Sequence, residues 1–252
     1  MTKRALVTGA TAGIGNAFAI ELAKRGYDLV LVARDTGRLE KIHSQFSKKY
    51  GVNVDLVTAD LATTKGVQAT SNALTDSAKP VDLLINNAGS SLAGWFGATN
   101  IVDEEHQLDL MVRAPMVLTD AAIKSMTGRG HGQIINVASV AAFTPRGTYS
   151  AHKIWIVNLS QWLNLHYADA GVTVMALCPG FVRTEFHQRM GARTDNIPRW
   201  MWLRADKVVK AALKDLDKGK AVSVPSLRYK VIATVTRYAP RGLVARIAKM
   251  GR

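Results

Sequence analysis

The chain of 252 residues has one cysteine, Cys178, so no intrachain disulfide can form and a reducing, cytoplasmic setting is expected. No apolar run approaches the ~18 residues that a membrane span needs. The stretch Ala5-Leu6-Val7-Thr8 after the basic Lys3-Arg4 faintly mimics a signal peptide, but it breaks at once into glycines and reads as a strand. His43, His106, His131, His152, His166 and His187 show neither the spacing nor the carboxylate context of a metal site, so no metal is expected. Internal repeats and low-complexity segments are also missing. With 48% hydrophobic and 21% charged residues, the composition excludes a disordered or collagenous chain. The length suits one large α/β domain with a proper core.

Acidic residues are scarce in one place only. Residues 1–182 carry 16 basic and 14 acidic side chains, whereas residues 183–252 carry 17 and 5. After Asp217 there are none. Of the formal charge of +14, +12 therefore lies in the last 70 residues. A strongly basic protein first suggests a nucleic-acid or anionic-membrane partner. Here the charge is spread without a recognisable reader module, so no nucleic-acid partner is expected. Leu227, Val231, Val235 and Tyr238 fall on one helical face, and seven basic residues lie between Arg228 and Arg252. That combination permits peripheral contact with an anionic membrane, at its inner face, through residues 226–252. The competing reading is a tail packed on the domain with its basic side outward.

Short β-branched runs at 5–8, 29–33, 54–58, 83–86, 133–138 and 172–178 alternate with amphipathic stretches at 14–25, 37–50, 64–77, 102–126 and 149–170. Strands that are almost continuously apolar are buried on both faces. Alternation of this kind implies right-handed crossovers and a parallel sheet with helices on both faces. Residues 1–225 are expected to form one catalytic domain, with a substrate loop at about 183–217 and a helix over 205–216. A short strand over 221–224 and two helices over 226–239 and 241–250 complete the expectation.

The first strand runs into Thr8-Gly9-Ala10-Thr11-Ala12-Gly13-Ile14-Gly15 and then a helix. Glycines let a backbone turn tightly against a pyrophosphate, and a helix N-terminus supplies N–H donors. Arg34 follows the second strand, where dinucleotide folds meet the adenosine ribose; a basic residue there pairs with a 2′-phosphate, so NADP(H) is the expected cofactor. Asp60-Leu61 either caps the adenine or starts the next helix. Asn86-Asn87-Ala88-Gly89 either bridges strand ends beside a cofactor or makes a simple turn.

Tyr149 and Lys153 stand at i and i+4 of a helix and share a face. An ammonium near a phenol is expected to lower its pKa and make it a proton donor and acceptor near neutral pH. Ser139, at a strand end, is placed to hydrogen-bond a carbonyl oxygen as charge develops on it. With 6 Tyr and 16 Lys, about 0.4 Tyr-x3-Lys pairs arise by chance, so the pair means little without the serine and the glycine loop.

Taken in order, these motifs resemble the short-chain dehydrogenase/reductase family over about residues 3–225. The carriers are Gly9/Gly13/Gly15, Asp60-Leu61, Asn86 to Gly89, Ser139, Tyr149/Lys153 and Pro179-Gly180-Phe181-Val182-Arg183-Thr184. The resemblance implies a doubly wound parallel sheet, a Rossmann fold, binding NAD(P)(H), and Arg34 looks like the basic residue of NADP-preferring members. It implies Ser139 as carbonyl polariser, Tyr149 as general acid/base, and Lys153 as holder of the nicotinamide ribose. Val182 and Thr184 would contact the carboxamide, with Pro179 and Gly180 beside them. Gly9, Thr11, Gly13, Ile14, Gly15, Arg34, Asp60, Leu61, Asn87, Ala88 and Gly89 would line the rest of the cofactor. A homo-oligomer is implied too, with Trp155 and Trp162 as candidates for the interface stripe.

The chain departs from the family pattern in three places. Met111 stands where many members have an asparagine of the proton relay. Ser139 and Tyr149 are only ten positions apart, which implies a more open substrate cleft. Thr11 replaces the second basic residue of many NADP-preferring members. The expected activity is hydride transfer between the nicotinamide and a carbonyl or secondary alcohol, on a lipid-like or 3-oxoacyl substrate. Met111 motivates the competing reading, a catalytically weak dinucleotide-binding regulator. Trp200 and Trp202 suggest an apolar lid, or else core or subunit-interface residues, and Trp95 and Phe96 are candidates for the cleft wall.

Overall fold

The computed structural model describes residues 2–186, 197–239 and 242. The expected helix over 241–250 and part of the expected substrate loop lie outside the described residues.

The strands are β1 (Arg4–Thr8), β2 (Asp28–Ala33), β3 (Val54–Thr58), β4 (Leu83–Asn86), β5 (Gly132–Val137), β6 (Val172–Leu177) and β7 (Val222–Ser223). They form one sheet in the order β3-β2-β1-β4-β5-β6-β7, and every pairing is parallel. This is the doubly wound Rossmann arrangement. The chain reverses direction across the sheet between β1 and β4, and the carboxyl ends of those strands bound the crevice where ligands of such sheets bind.

The helices are α1 (Gly13–Lys24), α2 (Thr36–Tyr50), α3 (Thr64–Thr75), α4 (Ile101–Leu108), α5 (Ala114–Thr127), α6 (Thr148–Tyr167), α7 (Ala205–Leu216) and α8 (Leu227–Tyr238). Strand alternation sends Ala5, Val7, Leu29 and Leu31 to one face, against Phe18, Leu22, Leu39, Phe46, Val209 and Leu213 of α1, α2 and α7. Leu6, Val30, Val32, Leu84 and Ile134 point to the other, against Val67, Leu74, Leu118, Met126 and Leu163 of α3, α5 and α6. Each fully buried Leu, Ile or Phe contributes roughly 1.5–3 kcal/mol. The two-sided burial explains why the central strands are apolar along most of their length, with polar residues concentrated at strand ends and on the edge strand β3.

The expected single helix over 102–126 is interrupted. A π-helical turn, Asp109–Arg113, joins α4 to α5. Pro115 is the second residue of α5, and it has no N–H to offer the Met111 carbonyl four residues back. Widening the turn removes that demand. Asp109 accepts from Arg113 Nε at 2.6 Å across the same turn, and Met111 is driven inward, fully buried. The final strand is also shorter than expected, two residues rather than four.

Beneath the crevice, a buried amide chain ties the layers together. Asn86 Nδ2 donates to Thr119 Oγ1 at 3.0 Å and to Asn136 Oδ1 at 2.9 Å. Asn136 Nδ2 donates to Ser160 Oγ at 3.0 Å, linking β4, β5, α5 and α6.

On α8, Leu227, Val231, Val235 and Tyr238 all face outward. The opposite side is anchored by Tyr229, which is 1% exposed. Its hydroxyl accepts from Phe181 N at 3.1 Å and donates to the Met201 carbonyl at 2.8 Å. A Cβ on Gly180 would stand 2.0 Å from that ring, so only glycine fits there. Trp155 is partly buried in a small cluster with Ala142 and Ile156, whereas Trp162 is exposed and stacks on His166. No helix among the described residues is long and apolar enough to cross a membrane.

Candidate active site

The loop between β1 and α1 is built for close approach. Gly9 and Gly13 adopt φ of +64° and +57°, which side-chain-bearing residues rarely reach. A Cβ on Gly15 would stand 2.3 Å from the Gly9 carbonyl oxygen. Helix α1 starts at Gly13 with no side-chain cap, so Thr11 and Ile14 sit where its first N–H groups are free to meet an anion. The donor set therefore fits a pyrophosphate.

Thr8 organises this loop. Its hydroxyl accepts from Asn87 N at 2.9 Å and from Ala88 N at 3.0 Å, and donates to the Ile85 carbonyl at 3.3 Å. Asn87 Nδ2 donates back to the Thr8 carbonyl at 2.9 Å. The bridging reading of the Asn-Asn-Ala-Gly turn is the one the structure adopts. Gly89 packs on the Met111 side chain, with sulfur 3.7 Å from where a Cβ would be.

At the ribose end, Arg34 is two-thirds exposed, and its guanidinium lies 4.0 Å from Asp60. Its neighbour Asp35 is already committed: it caps α2 by accepting from Arg38 N at 3.0 Å. Asp60 accepts from Ala62 N at 3.0 Å in a local turn, with Leu61 buried beside it, while Thr63 caps α3. Across the crevice, Arg38 pairs with Glu185 at 3.1 Å. Thr184 abuts Gly13, so the segment after β6 meets the glycine loop; Val182, just after Pro179-Gly180-Phe181, forms a β-bridge to Leu203.

Ser139, Tyr149 and Lys153 meet at the carboxyl end of β5. Ser139 begins a short 3₁₀ turn (Val140–Phe143) and accepts from Ala141 N at 3.1 Å. Its side chain lies near enough to Tyr149 to act on the phenol. Lys153 is buried, donates to the Val137 carbonyl at 2.8 Å, and lies 5.7 Å from the centre of the Tyr149 ring. Cys178 lies close enough to couple electrostatically to both and is itself buried, which pushes its thiol up to about 12. A thiol held neutral in this way packs and does not attack.

The expected depression of the phenol is corrected here. Burial pushes Tyr149 up to about 12, against the opposing influence of Ser139. Burial likewise lowers Lys153 to about 8. The ammonium faces the ring and a carbonyl instead of the hydroxyl, so desolvation outweighs the attraction between the two groups.

Beside Tyr149 lies a pocket with about 50 Å³ open to water, room for a few water molecules. Trp95, Phe96 and Leu92 line one part, as expected for the two aromatics. Arg146, Gly147 and Thr148, from the short segment between Ser139 and Tyr149, line another. Glu104 and Gln107 of α4 complete the wall; neither was legible as a site residue, because helical spacing alone does not place them near Tyr149. Trp200 is exposed and Trp202 rests on Phe181 at 5.7 Å between ring centres, so neither belongs to the core.

The family model for short chain dehydrogenases matches residues 3–195. A putative ketoacyl reductase of granaticin polyketide synthesis from Streptomyces violaceoruber is 36% identical over 194 residues, covering 74% of this chain and 70% of that protein. Among solved structures, a short-chain dehydrogenase from Sphingobium yanoikuyae in complex with NADPH superposes with a TM-score of 0.87 at 34% identity, covering 96% of this chain and 94% of that one. An alcohol dehydrogenase from Comamonas testosteroni, described as specific for bulky-bulky ketones, gives 0.81 at 30% identity, with 99% and 94% covered. With the sheet order, the glycine loop and these matches agreeing, the chain belongs to the short-chain dehydrogenase family of oxidoreductases.

Proposed function

We propose that the protein is an NADP(H)-dependent carbonyl reductase, reversible as an alcohol dehydrogenase, acting on bulky ketones of the 3-oxoacyl or lipid-like kind. The observation that carries this reading is the convergence of Ser139, Tyr149 and buried Lys153 at the carboxyl end of β5, with the lysine 5.7 Å from the Tyr149 ring centre, beside the glycine loop. Bound nicotinamide would supply the hydride. Gly9, Thr11, Gly13, Ile14 and Gly15 would hold the pyrophosphate, and Asp60, Leu61, Asn87, Ala88 and Gly89 would line the adenosine side and strand ends. Pro179, Gly180, Val182 and Thr184 would flank the nicotinamide, and Lys153 its ribose.

Tyr149 gives its phenolic proton to the carbonyl oxygen as the carbonyl carbon takes the hydride, so C=O becomes CH–OH. The raised pKa keeps that proton in place at neutral pH. Ser139 hydrogen-bonds the same oxygen as charge grows on it. The Lys153 ammonium favours the phenolate left behind. The short segment between Ser139 and Tyr149 and the exposed Trp95 and Phe96 support an open-sided, partly apolar substrate site. The bulky-ketone and ketoacyl descriptions of the relatives support the same class. Turnover of a ketone panel, followed as NADPH consumption, tests the reading.

Cofactor preference rests on Arg34. Asp35 is occupied in capping α2, and the exposed guanidinium has only a 4.0 Å approach to Asp60, which leaves it available to a 2′-phosphate. Arg34→Ala is expected to raise the Kd for NADPH by about 10- to 100-fold, the scale of a charge-assisted pair, with little effect on NADH. Titration by fluorescence measures both; an unchanged NADPH Kd contradicts the assignment.

We also propose that α8 attaches the enzyme to an anionic lipid surface. The outward apolar stripe Leu227, Val231, Val235 and Tyr238, with Arg228, Lys230 and Arg237 exposed around it, supports this. Val231→Ser with Val235→Ser leaves the Tyr229 anchor alone. It is expected to cut co-sedimentation with phosphatidylserine vesicles several-fold; equal pelleting of variant and parent contradicts the proposal.

A further inference from the structure

Helix α4 carries buried polar groups without partners. Gln107 is 1% exposed, and neither its Oε1 nor its Nε2 has a hydrogen bond. Glu104, one turn earlier, is 7% exposed. Its Oε1 accepts from Thr99 Oγ1 at 2.7 Å, and its Oε2 has no partner. Asn100 caps the helix, so Glu104 is not needed there. Across from α4, His152 Nδ1 and Ser150 Oγ on α6 are also unpartnered, and Glu104 acts electrostatically on His152. Buried polar atoms without partners cost free energy, and one helix rarely gathers several without a use for them.

Glu104 and Gln107 line the same pocket as Tyr149. We propose that they form a polar subsite that selects ketones bearing a hydroxyl group away from the reacting carbonyl. A carboxylate oxygen needs a donor, and an amide offers a donor and an acceptor. A hydroxyl satisfies both at once, donating to Glu104 and accepting from Gln107 Nε2. A methyl group of similar size leaves three atoms unsatisfied. Sites built to bond a hydroxyl reject the analogue without it far more strongly than apolar pockets reject a change of size. The carbonyl end would sit at Tyr149 and Ser139 while the hydroxyl end reaches α4, with Trp95 and Phe96 beside the body of the molecule.

This inference rests on the carbonyl-reductase reading, and the test separates the two. The probes are the meta and para isomers of hydroxyacetophenone and methylacetophenone, with the full chain and NADPH. Two ratios are measured: kcat/KM for hydroxyl over methyl, and the corresponding Kd ratio from calorimetry on the NADPH-saturated protein. The parent is expected to favour the hydroxyl ketone in at least one isomer by about 10-fold or more. Gln107→Leu is expected to bring the ratio close to one, and Glu104→Gln, which keeps the shape, to lower it several-fold. Gln107→Met, equally unbranched, carries the same readout if the leucine variant does not fold. A parent ratio of one or less in both isomers, by both measures, overturns the subsite, as does a ratio unchanged in all three variants. Both ketones reduced without preference leaves the reductase reading standing and the subsite refuted. A Kd preference that the variants abolish, without turnover, does the reverse.

Discussion

Tyr149→Phe is expected to lower kcat for ketone reduction by about 10²- to 10⁴-fold, the usual contribution of a positioned general acid. The fold should survive. The ring keeps its place beside Phe186, 6.2 Å away between centres, and Ser139 keeps its bond from Ala141 N. Losing the hydroxyl costs on the order of 1 kcal/mol. NADPH affinity should therefore change little while turnover collapses. Steady-state kinetics with a cofactor titration on the same sample checks both halves. Turnover within a few-fold of the parent contradicts the role of Tyr149, and a parallel loss of cofactor binding points to structural damage.

Lys153→Met is expected to have a comparable effect on rate and the opposite effect on stability. The ammonium is buried, and burial holds its pKa near 8 instead of the ordinary 10.5. The unfolded chain binds that proton more tightly, so this residue disfavours the folded state at neutral pH. Its unfavourable contribution fades as pH rises from about 8 towards 10.5. Methionine fills the same volume without a charge. The cofactor-free variant should melt a few degrees higher at pH 7. The gap between variant and parent should narrow above pH 8, as the parent lysine loses its charge. Reduction by the parent enzyme should fall with a midpoint near pH 8 for the same reason. A variant melting well below the parent at pH 7 would show that the bond to the Val137 carbonyl outweighs the cost of burying the charge.

The sheet was legible because burial on both faces leaves its mark residue by residue. Runs such as Ala5-Leu6-Val7 and Leu29-Val30-Leu31-Val32 allow no other placement, and the alternating amphipathic stretches leave little choice of topology. The glycine loop was legible for a similar reason, since Gly9, Gly13 and Gly15 answer steric demands that no other residue meets. What stayed hidden depends on contacts between distant segments. The π turn at Asp109–Arg113 follows from Pro115, yet the helical pattern runs through it unbroken. The pKa of Tyr149 was misjudged because spacing shows that a lysine is near but not how deeply both are buried. Thr8 looked like the last residue of a strand, although its hydroxyl holds two backbone amides of the Asn-Asn-Ala-Gly turn. Glu104 and Gln107 lie within the amphipathic stretch 102–126, whose spacing carries no sign that the fold sets them beside Tyr149.

Hydride transfer is the claim on which the whole account depends, and isotope transfer tests it most directly. The full chain would be incubated with a panel of bulky ketones and NADPH deuterated at both hydrogens of the reactive nicotinamide carbon. The expected product is an alcohol with one deuterium on the carbinol carbon, formed by the parent protein and almost absent with Tyr149→Phe. Tight NADPH binding with no deuterium delivered to any ketone would contradict it and leave a dinucleotide-binding protein that performs no reduction.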